Sequence, residues 1–98
     1  MGPPPARWTE QAVADLDDIH AYIARTSPRY ATAVAARLVR AVEDVRPFPQ
    51  SGRVVPELGD PAVREVIHGA YRVIYELRGG VLEVLTVFRA SRQFPLVR

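Results

Sequence analysis

The sequence predicts an α+β fold: a short N-terminal strand, then an antiparallel helical hairpin packed on one face of a small, mostly antiparallel sheet, in the order β-α-α-β-β-β. Three observations predict it. Two apolar stripes of helical period fill residues 10–45, interrupted only at Thr26-Ser27-Pro28. A connector rich in proline and glycine follows, and three β-rich runs close the chain, the last two joined by Gly79-Gly80. Ninety-eight residues make one domain with a single modest core, spanning 1–98.

Met1 to Pro5 reads as an extended, poorly ordered lead-in, because proline fixes φ and removes donors. Ala6 to Thr9 suits a short strand, and Thr9 an N-cap for the first helix. In that helix Ala12, Leu16, Ile19 and Ile23 recur at helical spacing, while Asp15, Asp17 and Asp18 are expected on other faces. Ser27 caps the second helix with Pro28 at its first position, and Ala31, Val34, Ala35, Leu38, Val42 and Val45 form its core stripe. Pro47 and Pro49 end it, and the connector Gln50 to Pro61 holds too much Pro and Gly for regular structure.

Three strands follow, at roughly Val63–Ile67, Tyr71–Leu77 and Val81–Arg89. Gly79-Gly80 supplies the positive φ values of a tight hairpin, and pairing Arg78 with Val81 sets the register. In that register Tyr71, Val73, Tyr75, Leu77, Leu82, Val84, Thr86 and Phe88 share the face under the helices. The other face collects Arg72, Ile74, Glu76, Glu83, Leu85, Val87 and Arg89. Ile74, Leu85 and Val87 are too apolar for an open surface, so either the tail from Ala90 folds over them or another protein covers them; a partner is the favoured cover.

All 13 basic residues are arginine, net charge is +2, and the excess is C-terminal. Residues 1–49 carry six arginines and six acids, residues 50–98 seven and five. That bias permits a nucleic-acid or acidic-protein partner without requiring one. The absence of cysteine excludes disulfides and thiolate chemistry and fits a reducing compartment. No run of 18 apolar residues and no hydrophobic leader is present, so the expected location is the cytoplasm, with no membrane contact.

No phosphate loop, paired-histidine metal motif or nucleophile elbow occurs, and the sequence implies neither cofactor nor metal. His20 and His68 are far apart in sequence, and His68 beside Gly69 reads as a turn residue. Trp8, Tyr71 and Tyr75 read as core. The remaining candidates are arginines. Arg72 and Arg89 are expected to project from the same sheet face near the same end, and Arg53 and Arg92 to join them from connector and tail. Such a group implies either an anion or partner surface, or an internal network with Glu57, Glu65 and Glu76. The expected partner-binding set is Arg53, Arg64, Arg72, Ile74, Leu85, Val87, Arg89 and Arg92. The register at His68-Gly69-Ala70 decides whether Arg64 or Glu65 joins Arg72.

The ordered pieces Trp8-Thr9, Ala14-Asp15-Leu16-Asp17-Asp18-Ile19, Tyr22-Ile23-Ala24, Ser27-Pro28, Phe48-Pro49-Gln50-Ser51-Gly52-Arg53, Val55-Pro56-Glu57-Leu58, Arg64-Glu65-Val66 and Tyr71-Arg72-Val73-Ile74-Tyr75 together resemble the ParE/RelE superfamily of bacterial toxins. The resemblance implies a helical hairpin on a small sheet, a cognate antitoxin partner and a toxin–antitoxin hetero-oligomer. It also implies one of two activities, ribosome-dependent cutting of messenger RNA by RelE-like members or inhibition of DNA gyrase by ParE-like members. The family's strand arginine is matched by Arg72 and its late arginines by Arg89 and Arg92. Where RelE-like enzymes carry strand lysines this chain has Val63 and Glu65, and where they offer a late tyrosine or histidine it has Phe94, which transfers no proton. Glu57 resembles the general-base glutamate of some ribosome-dependent members, so a nuclease would rely on Arg72, Arg89 and Glu57. The resemblance therefore favours a ParE-like gyrase inhibitor, with the nuclease and a non-toxic autoregulatory module as alternatives.

Overall fold

The computed structural model describes residues 2–96. Strand β1 (Ala6–Trp8) leads into helices α1 (Glu10–Ala24) and α2 (Pro28–Val45). A single 3-10 turn (Pro49–Ser51) precedes β2 (Arg53–Val54), and β3 (Val63–His68), β4 (Tyr71–Arg78) and β5 (Val81–Arg89) complete the sheet. Its order is β1-β5-β4-β3-β2, with β1 parallel to β5 and every other pairing antiparallel.

The helix starts follow their caps. Thr9 Oγ1 accepts from Ala12 N at 3.1 Å and donates to Leu85 O at 3.1 Å, so one side chain caps α1 and pins its start to β5. Ser27 Oγ accepts from Tyr30 N at 3.2 Å, with Pro28 opening α2. Ala31, Val34, Leu38, Val42 and Val45 are buried, as the stripe requires, and Ala35 is half-buried. Their main core is completed by Ala12 and by Tyr71, Val73, Tyr75, Leu82, Val84 and Val87. The proline lead-in is less free than its composition predicts. Pro5 O accepts from Leu82 N at 2.9 Å and Pro4 O from Arg46 Nε at 2.8 Å.

The β4–β5 hairpin turns at Gly79 (φ 57°) and Gly80 (φ 78°), and the expected pairing of Arg78 with Val81 holds as far as Tyr75 with Val84. There a β-bulge intervenes. Leu85 has no cross-strand partner, Ile74 pairs with Thr86, and Tyr71 pairs with Arg89. One extra residue reverses the facing of everything beyond it. Val87, expected on the open face, is 1% exposed in the main core, and Phe88, expected under the helices, is buried on the opposite face. The bulge also redirects polar groups. Asp15, expected away from the core, is buried, and its Oδ2 accepts from Thr86 Oγ1 at 2.5 Å and from Val87 N at 3.1 Å.

The opposite face is covered by the chain itself. Val55, Val63, Ile74 and Phe88 form a second small core, flanked by Leu58 and Leu85 and by Phe94 and Leu96 of the tail. The favoured cover, a partner protein, is thus corrected: tail and connector together bury Ile74, and Val87 lies in the main core; Val97 and Arg98 lie outside the described residues. The connector is also more regular than its composition suggests. β2 pairs Arg53 with Glu65 and Val54 with Arg64. Gly52 sits where a Cβ would lie 2.3 Å from Tyr75 Oη and 2.7 Å from Glu65 O, so no larger residue fits without displacing backbone.

Candidate functional site

Arg72 stands at the centre of the second face. In register it pairs with Ile67, and Glu65, two residues back on the same face of β3, meets it diagonally. Arg72 Nε donates to Glu65 Oε1 at 2.6 Å, while Nη1 and Nη2 donate to the two carboxylate oxygens of Glu57 at 2.8 and 2.7 Å. Glu65 is fully buried and takes a second ion pair from Arg53 Nε. The Arg72 guanidinium lies 5.2 Å from the ring centroid of Phe88 and 5.3 Å from that of Phe94, and the two rings meet edge-on at 5.7 Å. The cation is thus enclosed by two carboxylates and two rings, and its own pKa is driven further up, first by the Glu57 bond.

Electrostatics at this centre are settled by the pairing. The Arg72 bonds hold the Glu57 carboxyl at about 2, well below its usual 4.5. A carboxylate that acidic, with both oxygens on one guanidinium, is a poor proton acceptor at neutral pH. Of the acids weighed as internal partners, Glu57 and Glu65 hold Arg72, while Glu76 pairs with Arg78 at 3.0 Å. Arg64 faces the other way and acts as a latch, its Nη1 donating to Gln50 O at 3.0 Å and Gly52 O at 3.1 Å. Beside it Tyr75 Oη donates to Pro49 O at 2.5 Å and accepts from Gly52 N at 3.1 Å, and burial pushes its pKa up.

Arg89 does not join this group. Past the bulge it points to the helix side, 5.7 Å over the ring of Tyr71. It borders two cavities there. One, of about 370 Å³, lies against α1 and includes Asp18, Tyr22, Tyr71 and Arg92. The other, of about 330 Å³, lies between the hairpin and the β3–β4 turn and includes Tyr30, Arg37, His68 and Tyr71. The expected convergence of Arg72, Arg89 and Glu57 is therefore corrected: Arg72 and Glu57 meet on one face, Arg89 stands on the other. Likewise Ile74 and Val87 offer no open surface in this chain, and Leu85 is half-buried at the bulge.

Sequence reasoning passed over Asp15 and the exposed Tyr22 and Tyr30 at the hairpin tip. A signal for the latter existed: residues 19–42 hold four arginines and no acid, and only Arg40 finds a local partner, in Asp44. Among the described residues no group of three or more His, Asp or Glu side chains is placed to hold a metal ion, and no helix is long and apolar enough to cross a membrane.

A helical hairpin on one face of a sheet whose other face carries a sealed arginine defines a class rather than a reaction. The fold is that of a chain from the chromosomal ParDE toxin–antitoxin system of P. aeruginosa, 24% identical, with a TM-score of 0.72 over 88% of this chain and 95% of that one. Two sequence relatives match along nearly their whole length. They are Y4kP of Sinorhizobium fredii, 34% identical over 93% of both chains, and toxin RelE2 of Caulobacter vibrioides, 33% identical over 87% of this chain and 93% of its own. Together these make the protein a type II toxin–antitoxin toxin by class. More narrowly, the chain belongs to the ParE toxin family of the parDE type II systems, which matches residues 6–94.

Proposed function

We propose that this chain is a ParE-like toxin that inhibits DNA gyrase in the cytoplasm and is neutralised by a cognate antitoxin. The observation that carries the reading is the state of Arg72. A nuclease acting on a phosphodiester needs a guanidinium free to meet the developing phosphorane charge and a group that exchanges protons near neutrality. Here Arg72 is committed to Glu57 and Glu65, Arg89 lies across the sheet, and Phe94 occupies the neighbouring ring position. A binding protein makes no such demand. Membership of the ParE family supports the same side, and the ParDE system that shares the fold supports an antitoxin as partner.

The test is a supercoiling assay with purified chain and gyrase. Loss of supercoiling with accumulation of cleaved DNA complexes is expected; supercoiling untouched at excess toxin overturns the reading. The ribosome-dependent nuclease requires Arg72 to leave both glutamates, and toxin-dependent messenger cleavage on translating ribosomes would establish it instead. Growth arrest on expression without antitoxin separates either toxin from a module limited to autoregulation.

A further inference from the structure

The arginines divide into two populations. Arg7, Arg40, Arg46, Arg53, Arg72 and Arg78 each hold a carboxylate, and Arg64 holds backbone carbonyls. Among the described residues Arg25, Arg29, Arg37, Arg89 and Arg92 form no ion pair, and all are exposed. Four of these border one continuous surface. The cavity against α1 takes Arg89 and Arg92, the cavity at the β3–β4 turn takes Arg37 and Arg89, and a third at the hairpin tip takes Arg25. Successive cavities share Tyr71 and Arg89, then Ile23 and Tyr30. The middle one is lined by Arg37, Arg89, His68, Tyr30 and Tyr71 with no carboxylate.

The cavity against α1 also holds Asp15 and Asp18, so the uncompensated charge is that of Arg37 and Arg89 in the middle cavity. Like charges gathered there without counter-charge repel one another, a cost that a bound polyanion removes. Along the same surface stand Tyr22 and Tyr30, 64% and 55% exposed; the Arg25 guanidinium lies 5.4 Å over the Tyr22 ring and leaves its other face open. Cations spaced along a track with open aromatic faces between them are what a single nucleic-acid strand requires: phosphates on guanidinium groups, bases on rings. The middle cavity, about 330 Å³, lies at the small end of ligand sites and suits one nucleotide unit better than a folded peptide.

We propose that this end of the molecule binds single-stranded nucleic acid, with Arg37 and Arg89 holding phosphate, Arg92 and Arg25 extending the track, and Tyr30 and Tyr22 stacking bases. The site lies across the sheet from Arg72 and requires no cleavage chemistry.

The test is fluorescence anisotropy of a labelled oligothymidylate of about twelve nucleotides at about 50 mM salt. Wild-type chain binds, and affinity falls linearly with the logarithm of salt concentration. Arg37→Gln and Tyr30→Ala each weaken binding about tenfold, and Arg37→Gln lowers the salt slope by about one. Arg40→Gln, on the same helix but paired with Asp44, leaves affinity unchanged. Both Arg37 and Tyr30 are exposed, so their variants fold and read binding alone. Absence of binding overturns the proposal, as does equal loss from Arg40→Gln. So does equal affinity for duplex of the same length, or capture of a polyglutamate peptide, but not the strand, through Arg37. Because gyrase is absent from the assay, its outcome is independent of the supercoiling test.

Discussion

Arg72 and Arg89 sit near each other at the same end of the β4–β5 ladder, yet they live in opposite chemical worlds. Arg72 is 7% exposed, its cation shared between two glutamates and wedged between two phenylalanines. Arg89 is exposed, rests on one tyrosine and has no acid partner among the described residues. The bulge at Leu85 separates them. Were Leu85 paired with Ile74, both side chains would project from one face; with Leu85 bulged out of the ladder, one arginine becomes part of the fold and the other part of a surface. Neutralised charge at one site and bare charge at the other teach that arginines in this chain are structural or available according to strand register, not according to count.

The largest effect that would break this contrast is expected at Arg72. In Arg72→Met the buried Glu65 keeps only Arg53, so a charge is left incompletely paired in a dry environment, and unfolding free energy should fall by about 3–5 kcal/mol. Arg89→Gln should cost less than about 1 kcal/mol, since the exposed Arg89 loses only its one contact with the Tyr71 ring. Denaturant titration of both variants measures the difference. Adding Glu65→Met to Arg72→Met should restore part of the loss, because the stranded carboxylate is then gone. Equal losses at Arg72 and Arg89 would show that the glutamates are ornamental.

Next in size is the bulge itself. Asp15 takes the backbone N–H of Val87 and the hydroxyl of Thr86, the groups that the interrupted ladder leaves over. Asp15→Ala should cost about 2–3 kcal/mol by stranding them, with faster hydrogen exchange at the Val87 amide before any change elsewhere in β5. An unchanged exchange rate at Val87 would mean that the bulge is held by other contacts. Chemical-shift changes reaching Arg89 but sparing Glu57 are the expected sign that only the open side depends on it.

Much of this architecture was legible from the chain. Thr9, Ser27-Pro28 and the α2 stripe declare the hairpin, because capping and helical period are local signals. Gly79-Gly80 declares the β4–β5 register over its first four pairs for the same reason. The bulge was invisible: Val84-Leu85-Thr86-Val87-Phe88 contains no strongly polar residue that would reveal which side faces solvent, so alternation cannot register an extra member. The same ambiguity hid Asp15, whose acceptors are wanted only where a ladder fails. At Arg72 the right partners were nameable, Glu57 and Glu65, but the choice between a network and a free cation depended on a two-residue edge strand inside a Pro- and Gly-rich connector, which leaves no periodic trace. The open arginines of the hairpin, Arg25, Arg29 and Arg37, were written more plainly, in an acid-free run over residues 19–42.

The smallest effect sharpens the comparison by pH. Glu57 titrates at about 2 in the fold against an ordinary 4.5, so its ionised form is favoured by the native state. The stability it contributes is therefore fully present above about pH 4.5 and is lost as pH falls towards 2. Its side chain is 41% exposed, and solvent screening limits the contribution to about 0.5–1 kcal/mol rather than the full value of such a shift. Glu57→Gln should thus cost that much at pH 7 and nothing further on acidification, flattening the stability profile between pH 4.5 and 2. Arg89→Gln should leave that segment of the profile parallel to wild type, because no carboxylate there depends on it. If Glu57→Gln retained the wild-type slope, the bidentate pair would not persist in solution. Arg72 would then keep a free edge facing the connector, and the nuclease reading would regain the cation it lacks.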